Sequence, residues 1–375
     1  MEMEDKKRIL EPYGDIDLQM LKDITLSKGI TGHEAGCSRV VKRYLEGHVD
    51  EIGYDNLGSI YGVQKGNGNG PDPAPKVAIF GHMDEIGFYV REIEDCGYLR
   101  VVPAGGHWTH VLLDQEVLVT TREGKEIYGV LGFVPAHGLA PEVAKTVKEL
   151  DELYIDIGVC DKQEAEDAGV RIGDMVSLKT DFVVMENPNY LCSKAWDDRV
   201  GVSIAVDVLR RLKSEDHYAD VYAVGSTQEE VGLRGAKTAA FTVAPDIGIA
   251  IDSTYARDVP GAKYGTNLSS GVTLSVMDGS VIANRELIYY MEDICKECGI
   301  DFVYDLFLRG GTDSGEIHKT GKGIVNMTLS IPSRYIHAHR AIIHRKDYAD
   351  TVSLLVEFCK RVDWDLVRKF QNSNR

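Results

Sequence analysis

The sequence predicts an α/β protein whose parallel sheet is interrupted by an inserted β-rich domain. Three observations carry this reading. Four short apolar runs each stop abruptly at polar, chemically capable residues. Between Ile86 and about Val184 the texture changes to strand-like pieces broken by glycine-containing turns. Helical connectors return only near Asp197. The expected organisation is therefore an α/β domain in two parts, 1–85 and 185–375, with a β-rich insert at 86–184.

In chain order, Asp17–Ser27 reads as a helix. Thr31-Gly-His-Glu34 has the form of a capping box opening a second helix through about Leu45. Ile60–Gln64 reads as a strand, and Gly66–Pro75, rich in Gly, Asn and Pro, as a loop. Val77–Phe80 leads to Gly81-His82-Met83-Asp84-Glu85. The insert offers strands at Gly87–Ile93, Tyr98–Val102, Glu116–Thr121, Ile127–Phe133 and Val176–Leu178. Ala195-Trp-Asp197-Asp198-Arg199 stands before an apolar helix, Val200–Leu209, so one of the aspartates caps its N-terminus. Val221–Val224 leads to Glu229-Glu230, Ile247–Ile251 to Asp252, and Ile324–Leu329 to a loop holding His337. Continuous apolar runs of this length suit strands buried on both faces of a parallel sheet, and sites in such sheets form at the carboxyl ends of the strands.

Composition narrows the function classes. The chain has 375 residues, 43% of them hydrophobic, enough for a sizeable core. A formal net charge of −17 repels phosphates, so nucleic acid is not expected as a partner. No apolar run reaches the ~20 residues that span a bilayer, so no membrane partner is expected either. The charged N-terminus lacks the apolar segment of a secretory signal. Seven cysteines without framework spacing fit a reducing cytoplasm, and Cys295-x-x-Cys298 falls in a helical stretch without a second pair.

The polar residues at the strand ends and the helix start are His82, Asp84, Asp197, Glu229, Glu230, Asp252 and His337. Singly each has an ordinary explanation as a cap, a turn or a solvated charge. Together they suit a dinuclear centre, with one imidazole and one carboxylate on each side of a shared carboxylate. Imidazole nitrogen and carboxylate oxygen favour Zn²⁺, with Co²⁺ as the alternative. Two metals ~3.5–4 Å apart polarise a carbonyl and acidify a bridging water. That water still needs a base, so Glu230 is read as a ligand and Glu229 as the proton acceptor. Asp84 is read as the acceptor that fixes the His82 ring.

These residues carry a resemblance. Val77-Ala-Ile-Phe-Gly-His82-Met-Asp84-Glu-Ile-Gly-Phe88, Lys194-Ala-Trp-Asp197-Asp-Arg-Val-Gly201, Thr227-Gln-Glu229-Glu230-Val-Gly-Leu-Arg-Gly-Ala236, Ile251-Asp252-Ser-Thr254, Gly310-Gly-Thr-Asp313 and Arg334-Tyr-Ile-His337 occur in order along nearly the whole chain. The chain resembles the tetrahedral aminopeptidases of the MH clan, metallopeptidase family forty-two, some of which carry an endoglucanase label. The resemblance implies a zinc-aminopeptidase-like three-layer α/β/α domain with a barrel-like insert, and removal of N-terminal residues from peptide substrates. It implies that Asp197 bridges two metals, with His82 and Asp252 completing one site and Glu230 and His337 the other. Glu229 is then the general base, Asp84 orients His82, and the Asp197–Asp198 bond is cis. It further implies a dimerising insert and a homo-oligomer, a tetrahedral dodecamer. His107 and His110, after Gly105-Gly106, depart from the family pattern.

Other classes fit less well. A related dinuclear deacylase or carboxypeptidase needs a cation for the substrate carboxylate, and no arginine is assignable to it. A glycoside hydrolase needs carboxylates flanking one bond, whereas Glu229 and Glu230 are adjacent. A scaffold with a dead site is opposed by the complete ligand set. The first side chain is expected near Tyr255–Asp258 and Arg309–Thr312, where Arg257 or Arg309 would favour acidic residues unless paired with Asp258 or Asp305.

Overall fold

The computed structural model describes residues 16–67 and 73–375. The N-terminal stretch Met1–Ile9 and the middle of the Gly66–Pro75 loop lie outside the described residues. Three strands precede the insert, β1 (Glu51–Tyr54), β2 (Ile60–Gln64) and β3 (Lys76–His82). The insert contributes β4 (Gly87–Ile93), β5 (Leu99–Ala104), β6 (Glu116–Thr120), β7 (Glu126–Gly132), β8 (Tyr154–Asp156) and β9 (Met175–Leu178). Next come β10 (Val183–Val184), β11 (Tyr190–Ser193), β12 (Asp220–Ser226) and β13 (Ile247–Tyr255). The last four are β14 (Val272–Met277), β15 (Phe302–Leu306), β16 (Val325–Ser333) and β17 (Ala341–His344).

The main sheet runs β1-β2-β12-β3-β13-β16-β14-β15. Its centre, β12-β3-β13-β16, is parallel throughout and consists of the four apolar runs read from the sequence. The alternation within β3 explains the runs. Val77 and Ile79 face one core with Val221, Ile249 and Met327. Ala78 and Phe80 face the other with Val224, Ala250 and the helix Arg234–Val243. Each fully buried Val, Ile or Phe is worth roughly 1.5–3 kcal/mol, and from Val77 to Gly81 both faces of β3 are free of polar side chains. Beneath the first face lies the helix Trp196–Leu212, packed against β3, β13 and the helices Leu18–Leu26 and Arg345–Arg361. Helices thus cover both faces in three layers.

Two glycines let this central helix begin against the end of β3. A Cβ on Gly81 would stand 2.3 Å from the Val202 nitrogen, and one on Gly201 2.3 Å from Asp198 Oδ2. No real Cβ approaches that closely, so only glycine permits the packing.

The insert strands close into a six-stranded barrel, β4-β5-β8-β7-β6-β9, around Phe88, Val90, Leu99, Val117, Val119, Leu131, Ile155 and Val176. Strand β8 was not anticipated, because only three residues of a charged stretch enter the ladder. Val183–Val184 falls in the 86–184 range but pairs with β11, which pairs with β17, so it joins a separate three-stranded sheet.

The expected capping box is not formed. The helix runs Ala35–Leu45, and its N-cap Glu34 has helical dihedrals and no side-chain cap bond. The Thr31 hydroxyl instead donates to Asp84 Oδ2 at 2.8 Å. Glu34 Oε1 accepts from Gly32 N–H at 2.6 Å and from Gln228 N–H at 3.1 Å. Tertiary partners took both side chains. All seven cysteines are free, and among the described residues no helix is long and apolar enough to cross a membrane.

Candidate active site

The predicted site residues arrive from separate parts of the fold, only Glu229 with Glu230 and His82 with Asp84 sharing one. His82 ends β3 and Asp252 lies in β13, two residues beyond the last β13–β3 pair, Ala250–Phe80. Glu229 and Glu230 stand on the turn between β12 and the helix Arg234–Val243, and His337 on the loop between β16 and β17. Asp197 stands at the start of the central helix, but it and Asp198 have non-helical dihedrals. The Asp197–Asp198 bond is cis. Asp198 supplies the cap, its Oδ1 accepting the Gly201 N–H at 3.1 Å, while its Oδ2 accepts the His82 N–H at 3.2 Å. Asp197 is thereby left to face the site.

The structure brings these residues into two groups that share one member. His82, Asp197 and Asp252 form the first, and Asp197, Glu230 and His337 the second, each with ligand atoms within 4.8 Å of one another. His82 Nε2 lies 3.2 Å from Asp197 Oδ1, and His337 Nε2 lies 3.1 Å from Asp197 Oδ2. The two oxygens of one carboxylate therefore face two imidazoles. Glu229 belongs to neither group; its Oε2 is 3.9 Å from His82 Nε2.

Asp84 does more than expected. The His82 Nδ1 is 3.0 Å from the main-chain carbonyl of Asp84 and 3.5 Å from its Oδ1, so the ring is fixed chiefly by the backbone. The fully buried carboxylate accepts the N–H groups of Glu229 at 3.0 Å and Glu230 at 3.2 Å. One side chain thus sets both glutamates. Strained backbone surrounds them: Gln228, Leu233 and His337 have φ of 55°, 58° and 57°. Left-handed non-glycine residues cost energy and collect at functional sites.

The electrostatics are those of a cation-seeking pocket. Burial pushes Glu230 up to about 7, with the Asp197 charge adding to it. Burial drives Glu229 and Asp252 well above the carboxylate range. Burial opposes charge on His337, yet its hydrogen bond to Asp197 and the surrounding carboxylates lift it to about 10. Among the described residues no lysine or arginine forms an ion pair with Asp197, Glu229, Glu230 or Asp252; the ion-pair partners of the first three are imidazoles. Carboxylates crowded in low dielectric without a fixed cation hold protons until a metal replaces them. Nitrogen and oxygen donors around a shared carboxylate fit two divalent ions.

Three residues near the centre were not expected to support it: Glu34 was read as half of a capping box, Asp198 as one of two candidate helix caps, and Asp313 only within a motif. Glu34 braces Gln228, beside Glu229. Asp198 ties the helix to β3. Asp313 is 2% exposed, accepts the Ser226 hydroxyl, and is raised by burial to about 6. The motif Gly310-Gly-Thr-Asp313 was its only signal.

The centre opens into a cavity of about 520 Å³ lined by Glu229, Leu233, Tyr255, Phe307, Arg309 and Thr312, among others. Asp258 is engaged by Arg334 at 2.5 Å, Asp305 by Thr254 at 2.8 Å, and Arg257 by Asn267 at 3.0 Å.

Fold and cluster define a class: an α/β protein with His and carboxylate side chains that could hold metal gathered at the carboxyl edge of its sheet. The chain belongs to the M42 peptidase family, since residues 58–354 match the family model described as M42 glutamyl aminopeptidase. It is a peptide hydrolase of the aminopeptidase kind. It is 33% identical to the lysyl aminopeptidase of Pyrococcus furiosus over 93% of this chain and 99% of that one. A TET aminopeptidase from a marine sediment Thaumarchaeota archaeon superposes with a TM-score of 0.90, at 35% identity, over 94% of this chain and 99% of that one. The dodecamer PhTET1-12s gives a TM-score of 0.80 at 28% identity, over 93% of this chain and 100% of that one.

Proposed function

We propose that the chain removes N-terminal residues from peptides by a two-metal mechanism. The observation that carries it is the single Asp197 carboxylate facing His82 through one oxygen and His337 through the other. His82 and Asp252 would hold one divalent ion, Glu230 and His337 the second, with Asp197 shared; Zn²⁺ suits the donors best and Co²⁺ is the alternative. When bound, such ions polarise the scissile carbonyl and acidify a water between them. Glu229, 3.9 Å from His82 and lining the cavity, would serve as the base that takes a proton from water and hands it to the leaving amine. Asp84 holds the His82 ring and the Glu229–Glu230 turn in one geometry.

The cavity receives the first side chain. Asp278, at its wall, already accepts from Ser280, Val281 and Thr312, and the other carboxylates belong to the centre. Arg309 is the lining arginine that remains for substrate, so acidic first residues are expected to be preferred over basic ones. A panel of Glu, Leu and Lys p-nitroanilides, each with its N-acetyl counterpart, tests both statements. Free amines should be cleaved and acetylated ones not, with Glu above Lys. Equal cleavage of acetylated substrates contradicts the aminopeptidase reading, and Lys above Glu contradicts the role of Arg309.

Assembly follows the relatives: residues 86–184 are proposed as a dimerising insert within a homo-oligomer of the dodecameric type. Light scattering should then give a particle far above the 41.5 kDa chain, and a monomer at working concentration removes the proposal.

A further inference from the structure

The barrel touches the catalytic centre where the chain leaves β5. Gly105 and Gly106 pass beside Glu230 and His337. A Cβ on Gly105 would lie 3.2 Å from Glu230 Oε2, and one on Gly106 3.4 Å from His337 Nδ1. The Gly106 carbonyl accepts the His337 Nδ1–H at 2.9 Å. That bond selects the tautomer whose free Nε2 faces Asp197 at 3.1 Å and Glu230 at 3.6 Å.

The two imidazoles are held differently. His82 takes its carbonyl from Asp84, two residues on, and its side chain is only 2% exposed. His337 takes its carbonyl from 231 residues away, and its side chain is 36% exposed on a loop with left-handed backbone. The orientation of His337 therefore depends on where Gly106 is fixed.

His107 fixes it. Its Nε2 donates to the Gly87 carbonyl, at the start of β4, at 2.8 Å. Its ring stacks on Phe88 with centroids 4.2 Å apart and planes 17° apart, and Phe88 is fully buried in the barrel core. One hydrogen bond and one stack pin the residue next to Gly106 to the first barrel strand.

We infer that His107 is a positioning residue for the Asp197–Glu230–His337 metal group, acting through the Gly106 carbonyl on His337. Among the described residues, no barrel residue hydrogen-bonds to His82 or Asp252 of the first group. The inference rests on the two-metal reading above, and its failure is separable from the failure of that reading.

The test is a titration of metal-depleted, full-length protein with Co²⁺. Absorption spectra and a competing chelator resolve the two dissociation constants, independently of turnover. Outer partners of metal-ligating histidines typically contribute ~10–100-fold in affinity. His107→Phe keeps a stacking ring but loses the donor, so one constant should weaken by about that factor while the other stays within about twofold. His107→Gln, which returns an N–H within reach of Gly87, should recover part of the loss. Phe88→Leu removes the stack from the other side and should weaken the same constant, which keeps the test decisive if His107→Phe fails to fold. Two constants that are unchanged, or that weaken equally, overturn the inference. An unsubstituted protein that binds fewer than two ions overturns the two-metal reading, and this inference with it.

Discussion

Glu229 and Glu230 are neighbours of one residue type with different surroundings, and their substitution should separate proton transfer from metal binding. Glu230 shares a group with Asp197 and His337, while Glu229 borders the cavity outside both groups. Glu229→Gln keeps size and polarity but cannot take a proton. It should retain two metals per subunit while kcat falls by ~10²–10⁴. Glu230→Gln should lose one metal first, and excess metal should partly restore activity. Metal content beside kcat checks both, and a swap of the two phenotypes would exchange the roles. At this scale the candidate cluster was legible, because His82, Glu229, Glu230 and Asp252 follow buried apolar runs and Asp197 opens an apolar helix. Asp198 was legible as a candidate cap, but its bond to the His82 N–H was not, nor were the partners of Glu34 and Asp313, since all three are distant in sequence. For His82 and Asp84 the spacing was legible but not the nearer partner: the Asp84 carbonyl lies 3.0 Å from the imidazole and the carboxylate 3.5 Å.

Among the elements, the helix Leu18–Leu26 depends on a side chain from elsewhere. Its last carbonyls have no successors to satisfy them. Arg199, fully buried, donates to the carbonyls of Thr25 at 2.9 Å, Gly29 at 2.9 Å and Met83 at 3.1 Å, and to Glu85 Oε1 at 3.1 Å. Arg199→Met fills the space but strands these carbonyls and leaves Glu85 to its other buried partner, Lys194, alone. It should cost about 3–5 kcal/mol in denaturant unfolding, the range for breaking a buried charged network from one side. A change under about 1 kcal/mol would show that water replaces the guanidinium there. The sequence showed both the helix and the strands β3, β12, β13 and β16, because burial on two faces leaves continuous apolar runs. It misled at Thr31–Glu34, where a capping-box pattern is indistinguishable locally from two residues recruited by Asp84 and Gln228. Strand β8 was invisible because three residues are too few to show alternation.

For the whole molecule, the centre should make metal-free stability fall as pH rises. Glu230 and Asp347 are raised by burial to about 7, and the partners of His337 lift it to about 10. A folded value above the unfolded one gives stability that is complete below the unfolded value and lost as pH rises through the folded one. His107, His339 and His344, lowered by burial to about 4, act oppositely, but only below their ordinary value of 6.5. Between pH 6.5 and 8 the first set governs, so the Tm of metal-free protein should drop across that window and the drop should shrink with saturating Zn²⁺. A metal-free Tm that is flat or rising there contradicts this. The insert was legible as a change of texture, though its closure into a barrel was not, since closure is set by pairing between strands far apart in the chain. Protein dialysed against a strong chelator is returned stepwise to Zn²⁺ while cleavage of a free-amine p-nitroanilide is followed. Activity should be absent at the start and reach its plateau at two equivalents per subunit; full activity after dialysis, or a plateau at one equivalent, would contradict the two-metal account.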